Sequence, residues 1–201
     1  MAELVVIENI SLDGVMQSPG GLDEDTRGGF DRGGWAAEWL SRDPEAAMAS
    51  MAGDATSTSL LFGRRTYTDL VGHWLSTSEP NPFTDVLRDT PKYVASRHAG
   101  TELPHPASTL LPGEAAETVT GLTHALDGEI VVLGSGELVR SLAAAGLVDR
   151  YVLTTIPVVL GRGTRLFGDT PAELTVERSR TFSSGISVVT YAVRRPGAFS
   201  G

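Results

Sequence analysis

The residues best equipped for chemistry in this chain follow a short apolar run. Ile130, Val131, Val132 and Leu133 lead into Gly134-Ser135-Gly136 and then Glu137. A β-branched run of this kind makes a strand buried on both faces. Beyond the glycines, Leu138, Val139, Leu142 and Leu147 recur at helical spacing. The glycine turn therefore sits at a helix N-terminus, where unpaired N–H groups and the positive end of the helix dipole attract an anion. Phosphate capture is the chemistry this suits. The same residues would also make a bare left-handed turn with no ligand. Nor do they complete a G-x-G-x-x-G fingerprint, because Val139 stands where the third glycine belongs.

Two further apolar runs end in similar equipment. Residues 59–62 lead into Gly63-Arg64-Arg65-Thr66, and residues 92–96, KYVAS, end at Ser96-Arg97. Arg64 and Arg97 can each present a planar fork to phosphate, while Thr66 and Ser96 add hydroxyl donors. Singly, each arginine also suits a solvated surface. In open α/β sheets ligands bind beyond the carboxyl ends of the strands, so three such ends on neighbouring parallel strands would converge on one elongated anion with the shape of a dinucleotide.

The elements that must position these groups alternate along the chain. Residues 4–10 form a first strand, apolar on both faces and hence central in its sheet. A turn at 11–15 and a long glycine- and acid-rich loop at 17–34 follow; a loop of that length is usually a lid or a connector. Residues 35–51 are helical with a break at Asp43-Pro44. Brief helices are expected around Tyr67, Leu70 and Val71 and at 81–87, a strand at 108–111, a helix at 114–126 and a strand at 150–156. Residues 174–182 and 186–193 form a terminal hairpin across Ser183-Ser184-Gly185. Strands separated by helices, closed by an antiparallel hairpin, describe an α/β fold with a mixed sheet covered on both faces.

Composition narrows the function. The chain has 201 residues, 41% of them hydrophobic, and is expected to form one domain with an ordinary buried core. Sixteen lysines and arginines against 25 aspartates and glutamates give a formal charge of −9, a field that repels nucleic acid and anionic membranes. An anionic ligand needs a local basic cluster. There is no cysteine, and His73, His98, His105 and His124 lack the i, i+4 spacing of a helical metal site, so no metal centre is expected. No apolar run reaches membrane-spanning length, and MAELVVIENI enters a strand pattern directly. A cytoplasmic location is expected.

Five segments, SLDGVM, LLFGRRTYTDL, KYVASRH, IVVLGSGELVRSL and LVDRYVLTTIPVVLGRGTRLF, occur in the order in which the chain resembles the dihydrofolate reductase superfamily. Within it, the chain is similar to dihydrofolate reductase-like proteins akin to the reductase domain of bacterial riboflavin biosynthesis. The resemblance runs through nearly the whole length. It implies a three-layer αβα sandwich over 1–201, with a mostly parallel sheet and an antiparallel C-terminal hairpin, and a reductase using NADPH on a small heterocycle such as a pterin or pyrimidine. By position it implies that Gly63, Arg64, Arg65 and Thr66 hold the pyrophosphate and adenosine side and that Ser96 and Arg97 hold the 2′-phosphate. Leu133, Gly134, Ser135, Gly136, Glu137 and Leu138 would embrace the pyrophosphate, and Ile7, Gly14 and Val15 would flank the nicotinamide. The family's acid on the first helix has no unambiguous counterpart; Asp31 and Glu38 are the candidates, each equally suited to a solvated surface. Thr154 falls at a substrate-side polar position, where an ordinary strand threonine is as good a reading. Arg162 and Arg165 are candidates for a second basic group, and Phe30, Trp35, Trp39 and Trp74 for an aromatic pocket or for plain packing. The resemblance also implies a homodimer. A nucleotide-binding module without turnover, or a flavin- or deazaflavin-linked reductase, remain as alternative functions.

Overall fold

A computed structural model describes residues 1–51, 57–78 and 82–194. Its elements in chain order are β1 (Glu3–Ser11), α1 (Trp35–Arg42), α2 (Pro44–Met51), β2 (Ser57–Gly63) and α3 (Arg64–Thr66). A π-helical stretch (Tyr67–Val71) joins α3 to α4 (Gly72–Ser76). Then come α5 (Pro82–Asp89), β3 (Lys92–Ser96), β4 (Ser108–Pro112), α6 (Ala115–Ala125), β5 (Glu129–Leu133), α7 (Gly136–Ala144), β6 (Arg150–Ile156), β7 (Leu174–Thr181) and β8 (Ser187–Val193). The strands make one sheet in the order β4-β3-β2-β5-β1-β6-β8-β7. The fold is α/β with a mixed sheet, and β1 lies well inside it, as its apolar faces require.

Contacts divide the described residues into two compact units, one drawn from 1–5 and 56–147, the other from 6–55 and 148–201. In the first unit β4, β3, β2 and β5 are neighbours and all parallel. The register sets Gly63 level with Ala95, and Leu61 level with Val132, so β2, β3 and β5 end together. Phe62, Val94, Val131 and Val132 are buried along these strands. Helix α7 packs on β2, and α6 on β3 and β4. Leu138, Val139 and Leu142 are the buried stripe of α7, as their spacing requires. Lys92 is buried at the start of β3, and its ammonium donates to the carbonyls of Leu87 at 2.6 Å and Thr90 at 2.8 Å. A cation there caps the C-terminal end of α5.

In the second unit β6, β8 and β7 form an antiparallel ladder, with Thr154 opposite Val188. Helix α2 lies against β6 and β8. The Asp43 carboxylate accepts from the Ala46 N–H at 3.0 Å, which starts α2 just after α1 stops. A core cluster gathers Val15, Phe30, Trp35, Ile156 and Leu160, with Trp39 packed against it. The aromatics Phe30, Trp35 and Trp39 thus serve as packing. Trp74, in the first unit, meets His73 and Phe83 edge to face.

Candidate functional site

The first unit brings three sequence-derived loops onto one rim. Gly63 ends β2, Ser96 ends β3 and Leu133 ends β5, and these strands are parallel neighbours in register. The backbone N–H of Gly63 donates to Ser135 Oγ at 2.9 Å, stitching the ends of β2 and β5 together. Ser135 takes the left-handed conformation (φ 65°, ψ 42°) as it opens α7. A non-glycine residue held there is strained, and such strain collects at ligand-holding turns. Gly134 has φ +58°, and a Cβ on it would lie 2.9 Å from the Thr66 methyl. The turn therefore requires glycine for its backbone and for the close approach of α3. Gly136 and Leu138 begin α7, with Leu138 buried and Glu137 exposed in the first turn.

At the end of β3 the hydroxyl of Ser96 lies 2.8 Å from that of Thr101 and accepts from the His98 N–H at 3.2 Å. Ser96 shapes the following turn, and the exposed Arg97 and His98 are what the turn presents. A cleft of about 370 Å³ opens there, lined by Arg64, Thr68, His98, Gly100, Thr101 and Glu102. Arg65 is exposed on α3. His98, Thr101 and Glu102 were not among the sequence candidates; their signal was only their place one turn beyond Ser96-Arg97.

The second unit holds the remaining candidates. Ile7 is half-buried on β1. Gly14, at φ +80°, makes the turn that SLDG predicts, and its carbonyl accepts from the Leu166 N–H at 3.0 Å. Val15 is fully buried in the core cluster. Asp31 is 69% exposed and 3.6 Å from Arg162. Glu38 is 65% exposed and pairs with Arg42 at 2.6 Å in i, i+4 spacing. These are the surroundings of surface ion pairs. Thr154, by contrast, is fully buried, and its hydroxyl has no hydrogen-bond partner.

The 17–34 segment is fastened rather than loose. Gln17 is buried; its amide nitrogen donates to the Asp25 and Arg27 carbonyls, each at 3.0 Å, and its oxygen accepts from the Thr164 N–H at 2.9 Å. The Trp35 indole donates to the Gln17 carbonyl at 2.8 Å. Arg162 donates to the Gly29 carbonyl, and Arg165 Nε to the Asp13 carbonyl at 2.9 Å, so both arginines of GRGTRLF brace loops.

Glu8 escaped the reading of the sequence altogether. It is buried on β1, and desolvation, reinforced by the negative charge of Glu24, pushes its carboxyl well above the usual range. A charge inside LVVIENI was the available signal. Among the described residues no cluster of histidine and carboxylate side chains could hold a metal ion. Among them, too, no helix is long and apolar enough to cross a membrane.

Comparison with known proteins agrees with this architecture. The Bacillus subtilis protein YyaP is 29% identical over 161 residues, covering 77% of this chain and 82% of its own. A riboflavin biosynthesis protein structure from Shewanella sp. PV-4 superposes with a TM-score of 0.64 at 22% identity, over 97% of this chain and 100% of that one. The dihydrofolate reductase of Enterococcus faecalis, solved with NADP(H) and RAB-propyl, superposes with a TM-score of 0.56 at 14% identity, covering 96% and 97% of the two chains. These likenesses show a dihydrofolate reductase-like fold. The model of the RibD C-terminal domain matches residues 3–188, and the chain belongs to that family.

Proposed function

We propose that this protein is an NADPH-dependent reductase of a small planar heterocycle. The observation that carries the reading is the shared rim of β2, β3 and β5, where a glycine turn, a left-handed serine and arginine-bearing ends face one direction. Its fit to a dinucleotide rests on the turn that opens α7, where left-handed Ser135 sits beside Gly63 and Gly134 beside Thr66, so that the helix N-terminus adjoins the end of β2. Gly63, Arg64, Arg65 and Thr66 would hold the pyrophosphate and adenosine side, with Gly134, Ser135, Gly136, Glu137 and Leu138 completing the pyrophosphate cradle. Arg97 would take the 2′-phosphate, on the turn beside the cleft that Arg64, His98 and Thr101 line. The bound cofactor would supply a hydride; the chain's own task is to bind, orient and exclude water. The solved neighbour from Enterococcus faecalis, holding NADP(H) on this fold, supports the choice of cofactor.

Titration of NADPH and NADH by fluorescence tests this reading with the wild type and Arg97→Ala. The variant is expected to lose about 1.5–3 kcal/mol of NADPH binding, roughly ten- to hundredfold, and much less toward NADH, because a charge-assisted contact to the extra phosphate is removed. Absence of NADPH binding by the wild type would refute the proposal.

A further inference from the structure

The cleft of about 370 Å³ in the first unit is lined by charges of both signs. Arg64 comes from α3, His98 and Glu102 come from the turn after β3, and Thr68, Gly100 and Thr101 complete the lining. Arg64, His98 and Glu102 are all exposed, so each can meet a ligand. The turn that carries the last two is fastened at its backbone. The His98 N–H donates to Ser96 Oγ at 3.2 Å, and the His98 carbonyl accepts from the Thr101 hydroxyl at 2.8 Å and from the Thr101 N–H at 3.1 Å. His98 therefore starts from a fixed place beside Arg97, the residue assigned to the 2′-phosphate.

Opposite charges in one cleft suit opposite ligands. A carboxylate beside an adenosine ribose accepts from its 2′-hydroxyl, whereas a cation answers a 2′-phosphate. Glu102 supplies the first chemistry and Arg64 the second. His98 decides between them, because histidine is the side chain whose charge ordinarily changes near neutrality. With His98 neutral, Arg64 and Glu102 cancel; with it protonated, the lining is net positive. Other charged groups stand around His98: Arg97 beside it, Arg65 on α3, Asp69 on the π-helical stretch, and Glu114 past the end of β4, where the Gly113 N–H donates to the Ser96 carbonyl at 3.0 Å. His105, further along the chain, packs edge to face on Tyr67 rather than lining the cleft.

We propose that His98 and Glu102 make the choice between NADPH and NADH depend on pH, with protonated His98 joining the arginines on the 2′-phosphate and Glu102 serving the 2′-hydroxyl of NADH. This role rests on the cofactor reading above and adds the residues that set its specificity. A bound 2′-phosphate stabilises the imidazolium, so NADPH binding takes up a proton wherever free His98 is mostly neutral. By linkage, NADPH affinity rises as the pH falls from about 8.5 toward about 6.5. NADH brings no such charge, and its affinity stays level. Below about pH 6 the phosphate itself takes a proton, which ends the rise.

The test is fluorescence titration of NADPH and of NADH between about pH 6.5 and about pH 8.5, with wild type, His98→Gln, His98→Lys and Glu102→Gln. In the wild type the ratio of NADPH to NADH affinity is expected to rise about three- to tenfold as the pH falls across that range, the gain from one charge-assisted contact. His98→Gln should hold the ratio near the wild-type value of the alkaline end, and His98→Lys near that of the acid end, both level with pH. Glu102→Gln should raise NADPH affinity about threefold or more, lower NADH affinity and keep the rise with acidity. Calorimetry of NADPH binding at about pH 7.5, in buffers of different ionisation enthalpy, should count net proton uptake by the wild type and its loss in His98→Gln. A level ratio in the wild type, undiminished pH dependence in His98→Gln, or no gain of NADPH affinity in Glu102→Gln overturns the proposal. NADPH binding with a level ratio overturns this inference alone, whereas no NADPH binding at any pH overturns the cofactor reading as well.

Discussion

Asp13 shows what a single carboxylate does in this chain. It accepts from the Leu160 N–H at 3.0 Å, from the Gly161 N–H at 2.8 Å and from Ser11 Oγ at 2.7 Å. Arg165 stands 3.7 Å away. The Leu160 N–H first, then the Ser11 hydroxyl, hold its carboxyl at about 2 against an ordinary 3.8. Because the folded value lies below the unfolded one, the stability it contributes is complete above about pH 4 and is lost as the pH falls toward 2. Asp13→Asn is therefore expected to unfold about 1–3 kcal/mol more easily at neutral pH. Its thermal midpoint should fall less steeply than that of the wild type between pH 4 and 2, a difference that calorimetry across that range measures. The bond runs between positions almost 150 apart, so SLDG announced a turn in the sequence without announcing what the aspartate would hold.

The decisive element is the turn between β5 and α7. Its strand, its glycines and its helical stripe were legible because each is a local property of spacing and residue size. The Gly63 N–H to Ser135 Oγ bond and the approach of Thr66 to Gly134 were not, since they depend on two strands ending level. Gly134→Ala is expected to cost about 1–2 kcal/mol for an L side chain in the left-handed region. It should also weaken NADPH binding, by pushing α3 away from the cradle. Adding Thr66→Ser removes the methyl that the new Cβ meets, and the double variant should recover the clash component but not the backbone component. Thermal melts and cofactor titration of Gly134→Ala, Thr66→Ser and the double variant separate these terms. The break at Asp43-Pro44 was equally local and appears where the proline indicated, whereas the π-helical stretch at Tyr67–Val71 had no such marker.

For the molecule as a whole, a net charge of −9 means that the cradle must work against the average field. Concentrating Arg64 and His98 around one cleft, with Arg97 on the same turn, meets that need locally. If the rim binds NADPH and the unfolded chain does not, ligand at a hundred times its Kd adds about 2.7 kcal/mol. For a chain of this size that corresponds to a rise in Tm of roughly 5–10 °C. The rise should grow with the logarithm of NADPH concentration and should shrink in Arg64→Ala, both visible in a thermal-shift titration.

The sequence by itself determined the strand and helix pattern, the antiparallel end and the glycine turn, because periodicity, chain punctuation and glycine's freedom act over a few residues. It also supplied Arg64, Arg97 and Ser135 as separate candidates. Tertiary structure alone decided that their strands are neighbours ending in register, that Asp31 and Glu38 face solvent in ion pairs, and that Glu8 and Thr154 are buried without partners. Those outcomes follow from strand order and burial, which join residues far apart in the chain and leave no mark on the local sequence.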